Sequence, residues 1–211
     1  AILSKKDLDG LIKKLKKAKV LAFDTETDSL DFTQANLVGL SVATDEDNAY
    51  YIPVGHDYEG APKQLDRDEV LKKLKPIIEE TPLIGQHLKF DRNVLANYDI
   101  HLNAIENDTM LMSYVYDPTA TRHNLDAMAS HYLNVKTTTF EDVAGKGVKQ
   151  LTFNQIPLEK ASDYAAEDAD ITFRCYSHLK PALAKTPSLE KVLHEIELPL
   201  VPVLSDMEQA G

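Results

Sequence analysis

Apolar positions change rhythm along the chain, and the rhythm predicts the elements. Leu8, Leu11, Ile12 and Leu15 recur every three or four residues between lysines, which predicts a helix over 5–17. Ser4-Lys5-Lys6-Asp7 opens it as a capping box, with Asp in place of the usual Glu or Gln. Val20–Thr27, Leu37–Ala43 and Ala49–Val54 are short apolar runs of strand type, the last two joined by the acidic turn Thr44-Asp45-Glu46-Asp47-Asn48. Helical period returns from Asp66 through Val70, Leu71, Leu74, Ile77 and Ile78. Leu83-Ile84-Gly85 reads as a buried strand and Leu88–Tyr98 as a helix, followed by helices near 108–117, 123–133, 157–180 and 188–209. Thr137–Gln150 has no period and reads as a loop. Strands in the first half and helices in the second give an α/β or α+β domain: a small mixed sheet flanked by helices.

At 211 residues the chain fits one compact domain with a core of its own. Hydrophobic residues at 43% and charged residues at 27% are ordinary globular values. A single cysteine, Cys175, excludes an internal disulfide framework and a cysteine-rich zinc site; it reads as a core residue. No apolar run is long enough to span a bilayer, and no signal peptide opens the chain. The chain begins at Ala1 without a methionine, and the expectation is a piece of something longer. With 23 basic and 34 acidic residues the net charge is −11, so nucleic acid could be held only by a local basic strip or through divalent cations. Lys13, Lys14, Lys16, Lys17 and Lys19 read as the solvated face of the first helix. Gly145-Lys146-Gly147 lacks the spacing of a P-loop, and the seven histidines offer no zinc pair.

Three motifs carry carboxylates. Asp24 and Glu26, two apart in a strand, project from one face. His87, Phe90 and Asp91 share a helix face if the helix begins near His87, and Tyr164 and Asp168 stand one turn apart among alanines. Each alone also fits a bland account: a solvated strand end, an acid favoured by a helix N-terminus, a surface helix. Taken together they bring four acids from three elements. At about 5 Å spacing and an effective dielectric near 20, each pair repels by about 3 kcal/mol, and six pairs by nearly 20. That exceeds the stability of a domain, so a converged cluster must protonate or bind cations. All-oxygen ligands select hard ions, Mg²⁺ or Mn²⁺, and two of them about 4 Å apart suit phosphodiester hydrolysis.

The set Asp24-x-Glu26, Asp91 and Tyr164-x-x-x-Asp168 resembles the DEDD superfamily of 3′–5′ exonucleases, in the DEDDy subgroup that the tyrosine defines. The stretches Asn36–Ser41, Tyr51–Val54, Leu151–Ile156 and Leu198–Leu204 extend the likeness to the proofreading domain of bacterial DNA polymerase I, family A, across essentially the whole chain. The resemblance implies a ribonuclease-H-like fold with a five-stranded mixed sheet flanked by helices over 1–211. It makes 188–211 the helix leading towards a polymerase domain outside this chain. It implies two divalent metal ions, Mg²⁺ or Mn²⁺, on Asp24, Glu26, Asp91 and Asp168, with Tyr164 orienting the attacking water.

The implied substrate is a single-stranded or frayed DNA 3′ end, cut to 5′-mononucleotides. Leu30 would wedge against the terminal bases, Phe140 would contact a base, and Gln86, His87, Phe90 and Arg122 would lie along the strand. His87 and Phe90 depart from a family pattern of Asn and Tyr, and an imidazole there would add pH dependence to strand binding. The implied setting is the bacterial cytoplasm, at the nucleoid, as a monomer joined to its polymerase domain and away from membranes. Two rivals remain at this point: a non-catalytic scaffold of such a polymerase, and an exoribonuclease of the ribonuclease D type.

Overall fold

The computed structural model describes all residues, Ala1–Gly211. Helix α1 (Lys5–Lys16) leads into strands β1 (Leu21–Thr27), β2 (Leu37–Asp45) and β3 (Asn48–Pro53); α2 (Arg67–Glu80), β4 (Leu83–Gly85), α3 (Leu88–Ala96) and β5 (Ile105–Asp108) follow. The rest is helical: α4 (Thr109–Tyr116), α5 (Leu125–Met128), α6 (Phe140–Ala144), α7 (Leu158–Ala184), α8 (Pro187–Val192) and α9 (Leu198–Ala210). The five strands form one sheet in the order β3-β2-β1-β4-β5. β1 pairs antiparallel with β2 and parallel with β4, so the sheet changes sense at its centre.

A central strand must be apolar on both faces, and β1 begins so, with Leu21, Ala22 and Phe23 all buried. Leu8, Leu11 and Leu15 of α1 and Val70, Leu74 and Ile78 of α2 pack with Leu21 and Phe23 on one face. The other face carries α7, whose Ala161, Ala165 and Ala169 are almost fully buried. Small residues every fourth position let that helix lie close on the sheet. Gly85 ends β4 where a side chain has no room: a Cβ there would fall 2.3 Å from Leu88 Cδ2 and 3.0 Å from the Phe23 carbonyl. The chain therefore folds straight back into α3 across the end of β1.

Several sequence expectations shift here. β5 was absent from the periodic reading because Ile105-Glu106-Asn107-Asp108 is polar; it is an edge strand of four residues. The segment expected as a loop over Thr137–Gln150 contains α6, held by a complete capping box in which Thr139 Oγ1 accepts from Asp142 N and Asp142 Oδ2 accepts from Thr139 N. Five residues are too few to show a helical period. α7 runs through Pro181 to Ala184, since buried Leu179 and Leu183 hold the last turn against the core. The helices expected over 123–133 and 188–209 each contain a wide turn, Ala129–Leu133 and Leu193–Glu197. Ser4 caps α1 by accepting from Asp7 N as expected.

Candidate active site

Strand alternation sends Asp24 and Glu26 towards α7, while Thr25 points to the opposite face. One turn apart on α7, Tyr164 and Asp168 face back. One carboxylate oxygen from each of Asp24, Glu26 and Asp168 lies within 4.8 Å of the others. Asp91 approaches from α3 and stands beside this trio: its Oδ1 accepts from Thr25 N at 2.9 Å and from the Thr25 hydroxyl, and its carboxyl reaches that of Asp24. Thr25 thus ties the fourth acid to the strand that bears the first two. Its role was invisible in the sequence, because it acts from the other face of β1.

Burial and mutual repulsion dominate the electrostatics. Burial first, and then the Asp168 charge, push Asp24 up to about 7. Glu26 is held well above the ordinary carboxylate range by burial and then by Asp24, and Asp91 by the same two causes. Asp168 is raised by burial and then by Asp126 and Glu167, against a lowering contact from Tyr164. Glu26 Oε1 is buried with no hydrogen-bond partner. Three converging carboxylates and an orphaned carboxylate oxygen are a hard-cation donor set, and the residues present fit a divalent metal.

Beside the cluster a cleft of about 640 Å³ is lined by Glu26, Leu30, Phe90, Phe140, Phe153 and Tyr164 among others. Leu30 stands at its edge almost fully exposed, at 95%. The Tyr164 ring is bracketed by Phe140 at 6.1 Å and Phe153 at 6.0 Å, centroid to centroid. Burial, and then the charges of Asp168, Glu26 and Asp24, keep its phenol protonated far above neutral pH. Phe153 carried no site role in the sequence reading, although it lies within the stretch Leu151–Ile156 that supported the resemblance.

The remaining residues singled out from sequence lie outside this cleft. Gln86 is engaged within the protein: its Nε2 donates to the His123 carbonyl at 2.7 Å, and its Oε1 accepts from Thr109 Oγ1 at 2.6 Å. Arg122 is exposed on the neighbouring segment. His87 is exposed and is the N-cap of α3, left-handed at φ 60°, ψ 53°, so it stands just before the helix that carries Phe90 and Asp91. The buried Asp108 fixes that turn by accepting from His87 N at 3.2 Å and Leu88 N at 2.8 Å.

A mixed sheet with an acidic cluster at its sense reversal, under a long helix that supplies a tyrosine and an aspartate, defines a nuclease of the ribonuclease-H-like class. The chain belongs to the 3′–5′ exonuclease family of family A DNA polymerases, whose model matches residues 1–184. It is 52% identical over 214 aligned residues to DNA polymerase I of Pseudomonas aeruginosa, covering 100% of this chain and 23% of that protein. It spans less than a quarter of the length of the curated DNA polymerase I relatives it matches. Among solved structures, the POL domain of Pol1 from M. smegmatis in complex with DNA primer-template and dNTP superposes with a TM-score of 0.75 at 18% identity, covering 99% of this chain and 32% of that one. Brucella melitensis NrnC with bound Mg²⁺ superposes with a TM-score of 0.63 at 21% identity, covering 92% and 87%. At those identities the likeness is one of fold.

Proposed function

We propose that this chain is a metal-dependent 3′–5′ exodeoxyribonuclease, the proofreading part of a DNA polymerase I, which releases 5′-mononucleotides from single-stranded or frayed DNA 3′ ends. The observation that carries the reading is the convergence of Asp24, Glu26 and Asp168, with Asp91 tied in by Thr25, at the wall of a cleft lined by aromatic rings. Asp24, Glu26, Asp91 and Asp168 would hold two divalent ions, Mg²⁺ or Mn²⁺. When bound, such ions activate water at neutral pH and neutralise the charge that develops on the transferring phosphate.

The chain's own groups divide the remaining work. A phenol that stays protonated keeps both a hydrogen to donate and lone pairs to accept, so Tyr164 orients the attacking water by a hydrogen bond and does not serve as base. Phe140 and Phe153 fix the ring that carries this hydroxyl. Phe140 offers a π-face to a base without regard to sequence, which suits removal of any nucleotide, and Phe90, which also lines the cleft, would lie along the strand's backbone. Leu30 supplies an apolar edge at the mouth, placed to part the last bases. Gln86, His87 and Arg122 lie beyond the cleft, where they would meet the strand further from its end.

The reading extends to a partner, the polymerase domain of the same parent chain. α9 buries Leu198, Val201 and Ser205, while Leu200, Val203, Leu204 and Met207 remain exposed on its other side. An apolar stripe of that kind suits a covering domain. No helix is long and apolar enough to cross a membrane. The setting proposed is the bacterial cytoplasm, at the nucleoid, with the chain monomeric.

The deciding experiment compares 5′-labelled DNA and RNA oligonucleotides of equal length, with free and blocked 3′ ends, in Mg²⁺, Mn²⁺ or EDTA. Stepwise shortening of unblocked DNA, lost with EDTA and in Asp24→Ala, is the expected result. Preference for RNA would make the chain an exoribonuclease, and no cleavage by the folded protein in either metal would make it a scaffold.

A further inference from the structure

Tyr51 and His56 stand beside the acid cluster without a part in the reading above. Gly39 on β2 is the register partner of Glu26 on β1. The Tyr51 ring crosses over it so closely that a Cβ at Gly39 would fall 2.2 Å from the phenol oxygen. Side chains of an antiparallel pair stand about 5 Å apart at Cβ, so the Tyr51 hydroxyl occupies the place of the side chain next to Glu26. Tyr51 is fully buried, and its Oη lies 2.7 Å from His56 Nε2. His56 is 5% exposed and packs on Phe153, the ring that braces Tyr164, at 5.7 Å between centroids.

A phenol this near a buried carboxylate ordinarily becomes its donor, yet Glu26 Oε1 has no partner. The proton has another destination. Burial holds His56 neutral, so one ring nitrogen carries hydrogen and the other accepts. The other polar neighbours of the ring are the backbone carbonyls of Asn154 and Ile156, which only accept, and Nδ1 itself is buried without a hydrogen-bond partner. With the hydrogen on Nδ1, Nε2 is left to accept from the Tyr51 hydroxyl 2.7 Å away.

We propose that His56 withholds the Tyr51 hydroxyl from Glu26, so that Tyr51 and His56 are positioning residues that leave Glu26 Oε1 free for a divalent cation. The inference rests on the metal-dependent reading of the site. It accounts for a buried oxygen left unpaired with a hydroxyl at hand, because an internal donor on Glu26 would compete with a cation for the same lone pair.

Mn²⁺ titration by calorimetry tests it on His56→Phe, which keeps the ring's bulk and removes the acceptor. The freed Tyr51 hydroxyl then turns to Glu26, and the Mn²⁺ dissociation constant rises about tenfold. Adding Tyr51→Phe removes the competing donor and returns the constant to within about twofold of the unsubstituted protein. An unchanged constant in His56→Phe, or a double variant as weak as the single one, overturns the proposal. The ¹⁵N shifts of His56 in the metal-free protein give a second reading that needs no variant. An Nδ1–H tautomer is expected, and an Nε2–H tautomer overturns the arrangement. If the unsubstituted protein takes up no Mn²⁺, the metal-dependent function fails, while the tautomer still decides whether His56 holds the hydroxyl.

Discussion

The two ends of β1 hold opposite chemistry. At its start, a cavity of about 940 Å³, larger than the cleft at its finish, is lined by Lys14, Lys17, Lys19 and Lys180 together with Tyr50 and Tyr176. None of these lysines makes an ion pair; Lys14 and Lys180 instead lie over the rings of Tyr50 and Tyr176, each 5.4 Å from the centroid. All four are exposed, so water solvates their charge and their proximity costs little. At the finish, four carboxylates crowd into a place where water is scarce, and every one is pushed towards its neutral form. Cavity size favours the first end. The unfavourable free energy stored in the second marks the site, because such crowding persists only where something else offsets it.

The largest effect that would break this comparison is on turnover. Asp24→Asn should lower the exonuclease rate by at least about a thousandfold, some 4 kcal/mol of transition-state stabilisation, in single-turnover assays on labelled DNA. A variant retaining a tenth of the activity would place the chemistry elsewhere. Tyr164→Phe keeps the ring between Phe140 and Phe153 and removes only the hydroxyl. A loss of about 10–100-fold is expected, the worth of one hydrogen bond to a charged group. The loss should appear in kcat rather than KM, and a change confined to KM would make Tyr164 a strand contact only.

Stability gives a smaller and oppositely signed signal. Asp24 is raised to about 7 in the folded protein from 3.8, so its neutral form favours folding below about pH 4, and that contribution is lost as pH climbs through 7. The metal-free protein should therefore show a falling contribution to Tm between pH 5 and 8, and Asp24→Asn should flatten that fall by several degrees. Mn²⁺ should raise Tm more at pH 8 than at pH 5, since it binds the ionised carboxylates. Calorimetric scans at both pH values check the sign, and a steeper fall in Asp24→Asn would contradict it.

At the other end, Lys17→Glu combined with Lys180→Glu should leave the exonuclease rate within about twofold, because exposed charges at the far end of β1 from the cleft are screened. A large loss would draw the basic cavity into catalysis. The smallest effect concerns His87. It is exposed and outside the cleft, so His87→Asn should leave the pH–rate profile unchanged between about pH 5.5 and 7.5. Asn tolerates the left-handed backbone at this position, whereas a β-branched residue would cost about 1–2 kcal/mol, read as a lower denaturation midpoint in His87→Val.

Much of this was legible along the chain. The strand bearing Asp24 and Glu26, the pairing of Tyr164 with Asp168 on one helix face, and the alanines that bring that helix close all follow from period and composition. Local rules hold there because each motif is a few residues long and its geometry repeats. The same rules failed where no repeat exists. α6 is too short to show a period, and β5 is a polar edge strand.

The sequence by itself determined which residues are acidic, which strand and helices carry them, and which family pattern they match. Whether those acids meet was beyond it, since repulsion opposes convergence and only the packing of α7 and α3 against β1 overcomes it. Tertiary structure alone decided that Thr25 holds Asp91, that Gly39 makes room for Tyr51, and that Glu26 keeps an oxygen unpaired. Each of these joins residues on different elements, and a hydrogen bond or a steric gap of a few ångströms leaves no trace in the order of residues along one strand.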